Sequence, residues 1–228
     1  MITEDTNAVE TTGEFTTGPD EGPSLITHVG VFLVASGLFT LIARGVARKT
    51  TQDIDEPTRE FMQEHRSATI DVAVKPVTML SLPVLVASST AALAYWLKRN
   101  ERPAAALATA VTPLVAATVG QSFTMFLAQR NPPDTPDSPN GEVTEPSFPS
   151  GHTTGVTAEA FAIGYILARE ELLTPAIATA LAAWPLLVGI TRIYRDRHWT
   201  SDVLGGYSAG TAVAAAMAML YELRRTRA

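Results

Sequence analysis

Hydrophobic positions in this chain are gathered into long runs rather than spread at amphipathic spacing. Leu25–Ala43, Val77–Leu97, Pro103–Ala128, Leu172–Ile190 and Val203–Leu220 contain no Asp, Glu, Lys or Arg, and each is 18 residues or longer. That is the length an apolar helix needs to cross a hydrocarbon core. A sixth run, Thr153–Ala168, is shorter and contains Glu159. The pattern predicts an all-α fold, a six-transmembrane helical bundle over residues 24–228. Runs this long and clean argue against the alternative of a soluble bundle with buried helices. Pro83, Pro113 and Pro185 fall inside the runs, where membrane helices tolerate them.

The polar connections alternate in character. Residues 44–76 form an extramembrane segment between spans one and two. A helix is expected there from near Pro57, capped by Asp55 or Glu56, with Phe61, His65, Ala68 and Val72 on one face. Such a helix suits the membrane interface; a solvated connector is the alternative. Lys98–Arg102 and Arg169–Glu171 read as tight turns, whereas 129–151 and 191–202 are longer and richer. Six spans place 44–76, 129–151 and 191–202 on one side, with the termini and the tight turns on the other. The first side carries 10 of the 17 Lys and Arg, but six of those ten lie among acids in 44–76. Lys98–Arg102 and the C-terminal arginines favour cytoplasmic termini and an extracytoplasmic first side.

Composition narrows the picture. Much of the net charge of −6 sits in residues 1–23, a tail with six acidic residues and no Lys or Arg. It is expected to be disordered, and it lacks the basic start of a conventional signal peptide. The absence of cysteine excludes disulfides and thiolate metal sites. No basic stripe suggests a nucleic-acid partner.

The unusual polar residues fall in the two richer loops, which two spans bring to the same side. In one loop Pro149 stops any preceding helix, Ser150 is a good N-cap, and Gly151 lets a ligand approach the backbone. The next helix then opens with free N–H groups and a positive dipole end, an anion site with His152 in its first turn. A plain helix cap with an interfacial histidine is the alternative. In the other loop Arg192 precedes His198 by six residues, and Asp202 follows four later. If a helix starts near His198, His198 and Asp202 share a face, so the carboxylate can hold the imidazole and leave its other nitrogen as nucleophile or base. Arg192 then needs an intervening turn, and its planar fork suits phosphate. Arg195, Asp196 and Arg197 read as solvated charges.

Together these stretches resemble the type 2 phosphatidic acid phosphatase superfamily. Its second motif, Pro-Ser-Gly-His, is complete at Pro149–His152, and its third, Ser-Arg-x5-His-x3-Asp, is present as Thr191 to Asp202 with Thr191 in place of Ser. The resemblance extends over about residues 24–223, including the six-span pattern. The first motif, Lys-x6-Arg-Pro, is degenerate within Gln121–Asp134. Aligning Arg130 with the motif arginine puts Phe123 at the lysine and Asn131 at the proline; aligning Pro132 puts Thr124 at the lysine.

The resemblance implies a membrane phosphatase acting on a lipid phosphate or diphosphate, with no metal or other cofactor. His198 would be the nucleophile that forms a phosphohistidine, Asp202 its orienting carboxylate, and His152 the general acid and base. Arg192, Arg130, Ser150 and Gly151 would bind phosphate. Substrates of the polyprenyl diphosphate, phosphatidic acid, phosphatidylglycerol phosphate or polyprenyl sugar phosphate type fit a site at the membrane face. A lipid-phosphate binder or transporter that retains the cradle without turnover is the alternative raised by the missing lysine. Soluble acid phosphatases and vanadate-dependent haloperoxidases share related motifs, and the long spans argue against them. Among single features, Glu159 reads either as functional or as paired with a neighbouring helix. Gly206 and Gly210 read as helix packing, Trp96 and Trp199 as interfacial aromatics, and His28 and His65 as structural.

Overall fold

The computed structural model describes residues 25–126, 130–135, 143 and 145–226. The acidic tail expected over 1–23 lies outside the described residues, as does part of the loop 129–151. The described residues form α1 (Leu25–Ala47), α2 (Gln52–Glu64), α3 (Ala68–Leu80), α4 (Pro83–Arg99), α5 (Pro103–Phe126), α6 (Gly151–Arg169), α7 (Pro175–Tyr194) and α8 (Thr200–Arg225), with no strand among them. The fold is all-α.

Four helices, α1, α5, α7 and α8, are long and apolar enough to span a bilayer. The pair α3 and α4 passes the same test as one span bent by 51°. The chain is therefore built as an integral membrane protein, with four spans by length and composition, or five if the bent pair is one. The sixth expected span is α6. It has the length for a crossing but is too polar to be counted on composition, because it buries Thr153, Thr154, Thr157 and Glu159.

Two expectations change at helix ends. The run Val77–Leu97 is not one continuous helix: α3 ends at Leu80 and α4 restarts at Pro83. Proline has no N–H to donate to the previous turn, and its fixed φ suits the first position of a new helix. In the extramembrane segment, α2 starts at Gln52 rather than near Pro57, and neither Asp55 nor Glu56 caps it. The face expected to run from Phe61 to Val72 is broken at Ser67. The Ser67 hydroxyl accepts from Ile70 N at 3.3 Å and starts α3, the capping role Ser favours over a helix interior. The Phe61 and His65 rings remain in contact, tilted by 33° with centroids 4.2 Å apart.

α8 is the central helix, with 61% of its spanning window buried against 17% for α1. It packs on α1, α5 and α6. Its glycines set the closest approach. A Cβ on Gly206 would lie 2.9 Å from the Ser150 carbonyl oxygen, and one on Gly210 would lie 2.6 Å from that of Thr154. These two residues pack helices, as their spacing suggested. Further along, Ala158 and Ala162 of α6 meet Val213, Ala214 and Met217 of α8. At the far end, His28 Nε2 donates to Tyr165 Oη at 3.0 Å, and Tyr165 and Arg169 donate to Glu222 at 2.6 and 2.9 Å. That network ties α1, α6 and α8 together, and His28 is structural. The crossing of α6 and α8 leaves their two N-termini side by side.

Candidate active site

The second-motif stretch forms the start of α6. Ser150 is its N-cap, and the Ser150 hydroxyl oxygen accepts from Thr153 Oγ1 at 3.0 Å and Thr153 N at 3.5 Å. Ser150 is fully buried. The N–H groups of Gly151 and His152 belong to the first turn and have no intrahelical acceptor. A Cβ added to Gly151 or Gly155 would meet nothing within 4 Å. This wall of α6 is therefore open.

The third-motif stretch spans the end of α7 and the start of α8. The chain turns between them at Asp196, whose φ of 55° is left-handed. That turn brings His198 back over α8. The two motifs are joined directly, with Ser150 N donating to the Asp202 carbonyl oxygen at 3.0 Å. Phe148 packs into the space left by Gly205: a Cβ there would lie 2.5 Å from its ring.

His198 Nδ1 donates to the Ser147 carbonyl oxygen at 3.0 Å and lies 3.6 Å from Asp202 Oδ2. A carbonyl oxygen only accepts, so Nδ1 carries the proton and Nε2 keeps its lone pair. The Asp202 carboxylate is fully buried; Oδ2 accepts from Trp199 N at 2.9 Å, and Oδ1 accepts from Arg130. Arg192 is buried, and its Nε has no hydrogen-bond partner among the described residues. Such a donor is rare in a folded interior and points to an anion. His152 lies within electrostatic reach of both Arg192 and His198. It opens onto a groove of about 580 Å³ between α4, α5 and α6, lined by Gly151, His152, Gly155, Pro113, Gly120 and Glu159. At the deep end Thr90 Oγ1 donates to buried Glu159. Glu159 thus both pairs with a neighbouring helix and faces the groove.

Two expected phosphate ligands have protein partners in the structure. The Ser150 hydroxyl oxygen accepts the two bonds of the helix cap. Arg130 has every guanidinium nitrogen engaged: Nε and Nη2 donate to Asp202 Oδ1 at 3.1 and 2.6 Å, Nη1 to Asp55 Oδ2 at 2.9 Å, and Nη2 also to Ser201 Oγ at 2.6 Å. Phe123, at the lysine position when Arg130 is aligned with the motif arginine, packs its ring against Phe39, tilted by 30° with centroids 4.4 Å apart.

Three residues gain roles that their local sequence did not suggest. Asp55, 2% exposed, accepts from Ser201 N at 2.8 Å and Ser201 Oγ at 2.7 Å. Asp196, read above as a solvated charge, is buried instead. It accepts from Arg59 at 3.2 Å, Arg66 at 3.3 Å and Gln63, clamping α2 to the third-motif turn. Trp199, read as an interfacial aromatic, donates Nε1–H to the Asn131 carbonyl oxygen at 2.9 Å and lies under both Arg59 and Arg130. Their partners lie far away in sequence, so local pattern carried no signal beyond the place of Asp196 inside the third motif.

The profile of the PAP2 superfamily matches residues 104–226. Phosphatidylglycerophosphatase B of Bacillus subtilis (strain 168) is 37% identical over 71 residues, 28% of this chain and 34% of that protein. The match thus spans about a third of that relative's length. The crystal structure of the first transmembrane PAP2 type phosphatidylglycerolphosphate phosphatase from Bacillus subtilis superposes with a TM-score of 0.62 at 20% identity, covering 88% of this chain and 94% of that one. At that identity the likeness is one of fold. With more than half its length matched by the family profile, this chain belongs to the PAP2 superfamily.

Proposed function

We propose that this protein is a membrane-embedded phosphatase that hydrolyses a lipid phosphate or diphosphate through a phosphohistidine on His198. The observation that carries the reading is buried Arg192, whose Nε has no partner among the described residues and whose charge reaches His152 at an open helix start. The name of the Bacillus subtilis relative makes phosphatidylglycerol phosphate the first substrate to try.

The substrate phosphate binds Arg192 and the first-turn N–H groups of Gly151 and His152, with Ser150 holding that turn in shape. Its chain follows the groove past Gly155 towards Glu159. His198 Nε2 attacks phosphorus, a P–N bond forms, and the P–O bond to the lipid breaks. His152 gives its proton to the leaving oxygen. The Asp202 carboxylate and the Ser147 carbonyl stabilise the positive imidazole. Water then attacks phosphorus while His152 takes its proton, and the P–N bond breaks to release inorganic phosphate and neutral His198. No metal takes part. The active site lies on the extracytoplasmic face, with the termini in the cytoplasm.

The aromatic Phe39–Phe123 contact at one candidate lysine position favours a second reading, a lipid-phosphate binding or transport protein without turnover. One experiment separates the two. Wild type and His198→Ala are purified in detergent, and phosphate release is followed with EDTA present from phosphatidylglycerol phosphate, phosphatidic acid and a polyprenyl diphosphate. The phosphatase reading expects metal-independent release by the wild type and none by the variant. Binding without release would establish the second reading, and release that EDTA abolishes would remove the metal-free step.

A further inference from the structure

Arg130 is the one cation that the degenerate first motif retains, yet its surroundings are those of a pinned residue. Its guanidinium sits between two almost fully buried carboxylates, Asp202 and Asp55, with Ser201 Oγ between them. Two carboxylates on one guanidinium leave the cluster net negative. A phosphate approaching Arg130 meets that negative charge in a region of low dielectric, where like-charge repulsion is strong. Arg192, by contrast, has an Nε with no hydrogen-bond partner among the described residues.

Asp55 comes from α2, outside the bundle, and it does what the start of α8 cannot do for itself. The N-cap of α8 is Trp199, which has no side-chain oxygen to accept from the free N–H groups of the first turn. Asp55 Oδ1 accepts from Ser201 N at 2.8 Å in its place, across 146 residues of sequence. Its Oδ2 holds both Ser201 Oγ and Arg130 Nη1. Arg130 in turn grips Asp202, the carboxylate behind His198.

We propose that Arg130 is a positioning residue rather than a phosphate ligand. Asp55 of the interfacial helix α2 anchors it, so that the chain Asp55–Arg130–Asp202 fixes the first turn of α8 and the placement of His198. The inference rests on His198 being the nucleophile. It makes the extramembrane segment part of the catalytic apparatus, and it accounts for the clamp between Asp196 and Arg59, Gln63 and Arg66 that seats α2 on the third-motif turn.

The test uses the full-length protein in detergent and orthovanadate as the phosphate mimic. Wild type, His198→Ala, Asp55→Asn, Arg130→Gln and Ser201→Ala are compared for kcat, KM and orthovanadate affinity, with kcat expressed per vanadate-binding site. Asp55→Asn is isosteric and keeps an acceptor for Ser201 N–H. Asp55→Asn and Arg130→Gln are expected to lower kcat per site by about 10- to 100-fold, the usual cost of losing a supporting partner of a site residue, with KM and vanadate affinity within about twofold of wild type. Ser201→Ala shifts kcat the same way by less. A merely structural role would lower the number of sites and leave kcat per site intact, which overturns the proposal. So does tenfold weaker vanadate binding in Arg130→Gln, or tighter vanadate binding at unchanged kcat in Asp55→Asn, because either makes Arg130 a phosphate ligand. Should Arg130→Gln or Asp55→Asn not fold, Ser201→Ala decides, and an unchanged kcat there overturns the proposal. An inactive wild type, or an active His198→Ala, instead marks failure of the phosphatase reading itself.

Discussion

His198 Nδ1 donates to the carbonyl oxygen of Ser147 at 3.0 Å, closer than it lies to Asp202 at 3.6 Å. A backbone carbonyl therefore holds the Nδ1 proton that also faces the carboxylate, and it fixes the imidazole tautomer. Asp202→Asn should leave that tautomer in place while removing the charge behind it and weakening the ion pair with Arg130. A fall in kcat of about 10²-fold is expected, against loss to background in His198→Ala. Phosphate release under saturating lipid measures both, and equal losses would show that the carboxylate sets the tautomer after all.

Arg192→Lys keeps the charge and loses the planar fork. A lysine ammonium is a point charge and cannot replace a guanidinium that contacts two equatorial oxygens. The expected fall in kcat/KM is about 10²- to 10³-fold, the range for losing one donor to a developing oxyanion. Orthovanadate affinity should fall in parallel. A variant with wild-type kcat/KM would remove Arg192 from the phosphate site.

Glycines on the two crossing helices should separate by phenotype. A Cβ on Gly151 enters open space at the site, whereas one on Gly206 or Gly210 meets the backbone of α6 at 2.9 or 2.6 Å. Gly151→Ala is expected to keep its melting temperature and lose substrate affinity. Gly206→Ala and Gly210→Ala are expected to melt earlier, since they force apart helices whose approach depends on small residues. Thermal unfolding in detergent, run beside KM measurements, distinguishes the two classes.

Asp196→Asn tests the clamp on α2. Asp196 is buried, but its partners Arg59 and Arg66 are 39% and 38% exposed, so solvent screens much of the attraction. The expected cost is about 1 kcal/mol, or a drop of about 2–4 °C in melting temperature for a chain of this size. Limited proteolysis should show earlier cutting in the 44–76 segment. Unchanged melting and unchanged cutting would mean that α2 is held by other contacts.

The sequence carried the bundle and the start of α6 for identifiable reasons. A bilayer leaves little choice of residue along a span, so the runs from Leu25 to Leu220 were readable directly. Pro149-Ser150-Gly151 marks a helix start by local chemistry alone, and α6 begins at Gly151. The two apolar runs between Ser150 and Asp202 were expected to return the chain to one side, and the backbones of those residues are hydrogen bonded. Other features had no local signature. A proline in an apolar run looks the same whether it sits within a helix, as Pro113 does, or restarts one, as Pro83 does. Asp55 and Asp196 look like surface acids because their partners lie 75 to 146 residues away. The role of Arg130 turns on which carboxylates surround it, and spacing does not encode that.

The covalent step is tested most directly by trapping it. An activated aryl phosphate needs no proton for its leaving group, so His152→Ala should still be phosphorylated by p-nitrophenyl phosphate. That variant lacks the base for the water step, so the phosphoenzyme should accumulate. After an alkaline quench, peptide mass spectrometry should find phosphate on the imidazole of His198 at close to one equivalent per active site. Release of p-nitrophenol over several turnovers, with the His198 peptide unmodified at every quench time, would contradict the phosphohistidine mechanism.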